Sequence, residues 1–402
     1  MAGALDEIRA KEYDARLAVM ALRRAVYEDG AIERIDELQN AEELLQSLSD
    51  ERARLNKTIG EEDSGSVLKL LGPATTGLDA KAELRLSSVP TALIHIFEKE
   101  TQPLISFGVT NTDAATRRIE FITYVEGYSA HAFDTLEIAS GDTGRVQQLP
   151  TFFPAQIETV RELTRATVNF EVRDLDSKTE LHRTMPVWLL PRTTAPLAVL
   201  DPGSGQWKDM TRYLGAFVTP NAPEVMAFCR KVTDFHKKKQ LVGYQIGKEE
   251  VEPQVQAVFD ALSNEGVRYV NSVIAFTRES GTSTQRVRRP AETLSTSQAN
   301  CIDGTLLVAS LLEAVSLNPA IVIVPGHAFV AWETWRGASG GSGEWKFLET
   351  TMISTSKFQD ACAAAENTAA AWKKKSNDEG KPELFRLLPL NKLRADGITP
   401  LE

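Results

Sequence analysis

The spacing of apolar residues changes along the chain, and each change limits what a segment can fold into. Over residues 1 to 57 apolar side chains recur at intervals of three and four. Leu5, Ile8, Leu17, Met20 and Leu22 form one series, and Ile32, Ile35, Leu38, Leu45 and Leu48 a second. Charged residues fill the gaps, which is the pattern of helices with one buried side. Asp29-Gly30 supplies a turn between them. A helical hairpin over 1–62 is expected, with a polar, Gly-containing linker over 58–66.

From 67 to 195 the period is two. Phe107, Val109 and Asn111 alternate with Ser106, Gly108 and Thr110; Ile119, Phe121, Thr123 and Val125 with Glu120, Ile122 and Tyr124; and Val168, Phe170 and Val172 with Asn169, Glu171 and Arg173. Turn signals separate the runs: Asn111-Thr112-Asp113, Ser140-Gly141-Asp142 and Asp174-Leu175-Asp176. Short strands with regular turn chemistry predict an antiparallel β-sandwich of immunoglobulin-like type over 67–195, without the cysteine pair of antibody domains. Residues 196–402 are mixed. A helix is expected from Pro253, strands over 320–324, 328–332 and 345–348, and a Gly/Ser loop over 336–343. An Ala-rich helix over 357–375 and an extended tail from Leu384 complete the expectation of a multidomain α+β chain.

A net charge of −10 argues against a general nucleic-acid binder, which carries a basic excess. The runs His236 to Lys239 and Arg286 to Arg289 are the basic exceptions, and both read as solvated stretches. Three cysteines, Cys229, Cys301 and Cys362, provide no disulfide framework, which points to a reducing compartment. Five histidines without a Cys/His cluster leave no zinc signature, and no cofactor is expected. The first residues lack the apolar core of a signal peptide, and no run is long and apolar enough to span a bilayer. A cytoplasmic location is the expectation.

The chemistry concentrates between Arg288 and Thr350. Asn300 is a helix-capping residue, Asp303 is its partner three positions on, and an apolar run follows from Thr305 to Val315. Cys301 therefore falls in the first turn of a buried helix. The free N–H groups and the positive end of the helix dipole favour a thiolate and can hold an oxyanion. Cys229 and Cys362 lack this setting. His327 follows Cys301 by 26 positions and opens a strand after Pro325-Gly326. Glu349 ends the strand that hairpins with it. Nucleophile, base and orienting acid thus follow in chain order. The histidines His95, His131, His182 and His236 have no evident partner and read as structural or exposed.

Three stretches carry a resemblance: Gln285 to Leu294, Asn300-Cys301-Ile302-Asp303, and Gly326-His327-Ala328-Phe329-Val330. Together they resemble bacterial members of the transglutaminase-like superfamily of papain-like fold, over about residues 255 to 350. The resemblance implies a transglutaminase-like catalytic domain over 196–402 with Cys301, His327 and Glu349 as catalytic residues. Much of the superfamily has Asp at the third position, where this chain has Glu349. It also implies an oxyanion donor besides the Cys301 N–H, for which Gln298 and Gln285 are candidates. The expected reaction is acyl transfer at an amide through a thioester: a cysteine peptidase, with transglutaminase, deamidase or a non-catalytic adaptor as alternatives. The expected partners are a protein or peptide substrate, together with a protein partner or self-association through the N-terminal helices. Regulated proteolysis in bacterial conflict or defence systems is an expectation from the resemblance alone.

Overall fold

The computed structural model describes residues 2–60, 67–71, 77–177, 179–200, 207–270, 282–337 and 340–401. Helices and several sheets make it an α+β chain. The described residues fall into two units. One takes those within Met1–Asn56, Pro196–Ala275 and Ser280–Glu402, the other those within Lys57–Ala195. The N-terminal helices therefore belong with the C-terminal residues, where the sequence had suggested a body of their own. Of the linker expected over 58–66, residues 61–66 lie outside the described residues, and 58–60 continue a helix instead.

The second unit contains two sheets. One has the order β1 (Val67–Leu71), β2 (Leu78–Leu84), β4 (Ile105–Asn111), β7 (Thr143–Gln148). The other has the order β3 (Ser88–Pro90), β9 (Thr179–Leu190), β8 (Thr164–Asp174), β5 (Arg117–Val125), β6 (Ala132–Ile138). The alternation read from the sequence is the alternation of burial: Ile105, Phe107, Val109 and Asn111 point inward along β4. Residues of both sheets share one core, with Ala80, Phe107 and Val146 from the first packing against Phe121, Ile138 and Phe170 from the second. Asn111 is fully buried, and its amide donates to the carbonyls of Ala115 and Ile138 at 2.7 and 2.9 Å. A residue that reads as a turn signal thus also ties the turn to a neighbouring strand.

In the first unit α1 (Ala2–Arg23) runs into a π-helical turn, Arg24–Glu28, and α2 (Ile35–Gly60) follows after Gly30. The buried side of this segment carries Ile8, Ala15, Val19 and Val26. Leu17 and Met20, expected to face inward, are exposed together with Tyr13. Gly30, at φ +73°, makes the reversal that the sequence signalled.

The central sheet has the order β12 (Trp345–Leu348), β11 (His327–Glu333), β10 (Pro319–Val324), β13 (Arg386–Pro389). All neighbours are antiparallel. Strands β10 and β11 are buried almost throughout, because the sheet is covered on both faces. Ala320, Val322, Phe329 and Ala331 pack with Val26 and Leu38 of the N-terminal segment and with Ala365, Ala369 and Trp372 of α5 (Phe358–Glu379). The helices α3 (Val251–Asn264) and α4 (Cys301–Ala314) pack on one another, and α4 lies on β10 and β11. Helix α4 is buried from Ile302 to Leu312, as its unbroken apolar run requires. The tail from Leu384, expected to be extended, forms β13 and then a short helix, Leu390–Ala395.

Candidate active site

Cys301 is the first residue of α4. Asn300 caps the helix: its side-chain oxygen accepts from the Asp303 N–H at 2.8 Å, and the Asp303 carboxylate accepts from the Asn300 N–H at 3.1 Å. Asp303 also accepts from the Arg288 backbone at 2.7 Å and from its guanidinium at 2.9 Å. Burial pushes the Asp303 carboxyl up against the pull of these donors. With its oxygens so committed, Asp303 fixes the helix start and ties Arg288 to it. The segment after β12 presses on the same turn. Thr350 Oγ1 lies 3.4 Å from the Cys301 carbonyl, and a Cβ on Gly304 would come within 2.9 Å of that hydroxyl. Gly304 therefore admits the close approach of the Thr350 side chain to the cysteine helix.

The tight turn Pro325-Gly326 places His327 at the start of β11, paired with Val324. Between β11 and β12 the register sets Val330 opposite Leu348. Continued by one residue, it puts Glu349 beside Phe329 and diagonal to His327 on one face, within side-chain reach. The geometry follows: His327 Nε2 and Glu349 Oε2 are 2.7 Å apart and both groups are buried. The other carboxylate oxygen accepts from the Thr351 N–H at 3.1 Å and its hydroxyl at 2.7 Å. The Cys301 thiol is near enough to the imidazole to act on its charge. With Nε2 committed to Glu349, Nδ1 is the ring nitrogen left for the thiol.

These contacts set the charges. Burial disfavours charge on His327, but the Glu349 carboxylate and the Cys301 contact outweigh it and hold the imidazole pKa up to about 10. Burial likewise raises Glu349, yet His327 and the Thr351 donors bring it below the ordinary carboxylate value. Burial pushes Cys229 to about 11 and Cys362 to about 12.

Sequence reasoning missed the residues that the N-terminal segment brings to this place. The Tyr27 ring stacks on His327, with centroids 4.3 Å apart and an interplanar angle of 20°. Its hydroxyl donates to the Pro325 carbonyl at 2.6 Å. Arg23 pairs with Glu42 at 2.6 Å, and a Cβ on Gly326 would collide with both side chains. Tyr269 borders the site beside the strand that leads to Cys301, and its electrostatic neighbours are Cys301, Glu28, Arg23 and Glu349. No motif marks these residues; only the fold makes them neighbours.

The two glutamines considered as oxyanion donors are not brought to the thiol by any side-chain bond. Gln285 donates to the Arg286 carbonyl at 2.9 Å, and Gln298 is exposed on a two-residue strand paired with Arg268. Histidines read as lacking partners have them: His131 stacks on Tyr124, His182 Nε2 lies 3.0 Å from Asn169 Oδ1, and His236 Nε2 lies 3.9 Å from Glu250 Oε2. Among the described residues no group of His, Cys, Asp and Glu is arranged to hold a metal ion, and no helix is long and apolar enough to cross a membrane.

No protein-family model matches the chain, and no curated protein does. Among solved structures it is similar to the crystal structure of a FixG-related protein from Vibrio parahaemolyticus. That similarity has 11% identity and a TM-score of 0.16, and covers 30% of this chain and 91% of the other. At that TM-score it bears on neither fold nor function.

Proposed function

We propose that the chain is a cysteine peptidase with a transglutaminase-like, papain-like catalytic domain and an immunoglobulin-like sandwich, in which Cys301 is nucleophile, His327 acid and base, and Glu349 the orienting carboxylate. One observation carries the reading: a single buried imidazole lies 2.7 Å from the Glu349 carboxylate and has the helix-start thiol of Cys301 as a neighbour that acts on its charge. An imidazole kept protonated through neutral pH sets a positive charge beside the Cys301 sulfur, which is the setting a thiolate nucleophile needs.

The Cys301 sulfur attacks the amide carbonyl carbon, and a C–S bond forms. First-turn N–H groups of α4, which have no partner within the helix, receive the oxyanion. As the tetrahedral adduct collapses, His327 gives its Nδ1 proton to the leaving nitrogen and the C–N bond breaks. Water then attacks the thioester, His327 takes a proton from it, the C–S bond breaks and the carboxylate leaves. Glu349 holds the ring so that Nδ1 faces the sulfur and stabilises the imidazolium. The thiol's setting supports this choice of nucleophile over Cys229 and Cys362, whose burial disfavours their thiolates.

The test is to incubate the chain with a peptide library of mixed sequence and read new termini by mass spectrometry, with Cys301→Ser beside it. New carboxyl termini that need Cys301 support the peptidase reading. Glutamine-to-glutamate conversion or amine incorporation without new termini would replace hydrolysis of the main chain by side-chain chemistry at the same thioester. No Cys301-dependent product of any kind contradicts the proposal.

A further inference from the structure

The π-helical turn Arg24–Glu28 is unusual in a segment that otherwise reads as ordinary helix. Such turns insert an extra residue and re-aim the side chains that follow, and they concentrate at functional sites. Here the turn ends one residue after Tyr27. Val26, in the same turn, is buried in the core shared with Val322, Phe329 and Trp372, so the turn is anchored to the sheet. The phenol hydroxyl donates to Pro325 O, two residues before His327 in the chain. The ring lies nearly parallel to the imidazole on a face that neither Cys301 nor Glu349 needs.

Resting on the reading of Cys301 and His327 as a catalytic pair, we infer that Tyr27 is a positioning residue for that site: its ring and its Pro325 anchor hold the His327 imidazole in the plane that joins Cys301 to Glu349. The Glu349 contact fixes one ring atom but leaves rotation about the line through it. A flat surface at stacking distance removes that freedom. The N-terminal helices thus complete the site, and the peptidase unit includes them. Among the described residues, the charged and titratable groups around His327 are Cys301, Glu349 and Tyr27, with the Arg23–Glu42 pair seated on Gly326 and Tyr269 at the border of the site. Burial keeps Tyr27 neutral by raising its phenol, so the stack does not change with pH below alkaline values.

The experiment measures the alkylation rate of Cys301 by iodoacetamide from pH 5 to 10 with site-resolved mass spectrometry. The intact chain is compared with Tyr27→Phe, Tyr27→Leu and His327→Ala. Tyr27→Phe keeps the stack and loses the anchor, and is expected to slow alkylation near neutral pH by about threefold. Tyr27→Leu loses both and is expected to slow it about tenfold and to shift the pH profile towards that of His327→Ala. A Tyr27→Leu profile that superimposes on the unaltered chain, while His327→Ala departs from it, overturns the role of Tyr27 alone. A His327→Ala profile that superimposes as well overturns the catalytic pair and the inference with it. Should Tyr27→Leu not fold, the unaltered chain still decides: a stacked phenol shifts the His327 ring protons upfield in the NMR spectrum, and the absence of that shift overturns the proposal.

Discussion

A buried imidazole hydrogen-bonded to a carboxylate has a stability that depends on pH in both directions. His327 is raised above its ordinary value of 6.5, so its contribution is complete below that value and is lost as pH climbs through about 10. Glu349 is lowered from 4.5, so its contribution is complete above that value and is lost on acidification. The pair therefore stabilises most between these two ordinary values. Glu349→Gln, which keeps the shape and removes the charge, is expected to cost about 3 kcal/mol there. The gap in melting temperature from the unaltered chain should narrow towards pH 10, and a gap that widens between pH 7 and 10 would contradict the assignment. Gly326→Ala combines a left-handed backbone, φ +67°, with a collision against Arg23 and Glu42. It is expected to cost about 2 kcal/mol in chemical denaturation and to slow Cys301 alkylation. Cys301, His327 and Glu349 are legible in the sequence because each sits at the end of a regular element, where caps and turns announce position. Tyr27 is not legible, because its contact to Pro325 spans 298 positions and no local pattern encodes it.

Among the elements, α4 holds Cys301 through its cap. Asn300→Ala removes the acceptor for the Asp303 N–H and half of the reciprocal pair. It is expected to cost about 1 kcal/mol and to lower Cys301 reactivity more than its effect on melting would suggest, since the first turn then frays at the sulfur. Alkylation unchanged in a destabilised Asn300→Ala protein would show that the turn is held by Thr350 and Arg288 instead. The period-two strands were readable residue by residue, because one face of each sheet meets an apolar core and the other does not. The face of α1 was not. Leu17 and Met20 satisfy helical spacing as well as Ile8, Val19 and Val26 do, and only the position of the sheet decides which set is buried. The tail from Leu384 was misread for a related reason: Leu390–Ala395 is too short for periodicity to separate a helix from an extended segment.

For the molecule as a whole, the first unit joins residues far apart in the chain into one core. Leu38 is fully buried against the sheet and α5, so Leu38→Ala is expected to cost about 3 kcal/mol and to lower the transition reported by Trp372 fluorescence. A chain beginning after Gly60 should fail to fold its C-terminal residues, since Val322, Phe329 and Trp372 would lose their cover. Soluble, cooperatively melting protein from such a chain would contradict the grouping. The sequence displayed the helical, strand-rich and mixed segments in order. It could not display that the first closes on the third, because amphipathic helices carry no address for the surface that covers them.

Whether Cys301 and His327 form an activated pair is decided by the pH dependence of Cys301 alkylation, with Cys229 and Cys362 as internal references in the same mass spectrum. The account predicts that Cys301 reacts fast below pH 7, that His327→Ala abolishes this, and that the other two thiols react only at alkaline pH. Reaction of Cys301 at the same rate and pH as Cys229 and Cys362, with or without His327, would contradict it.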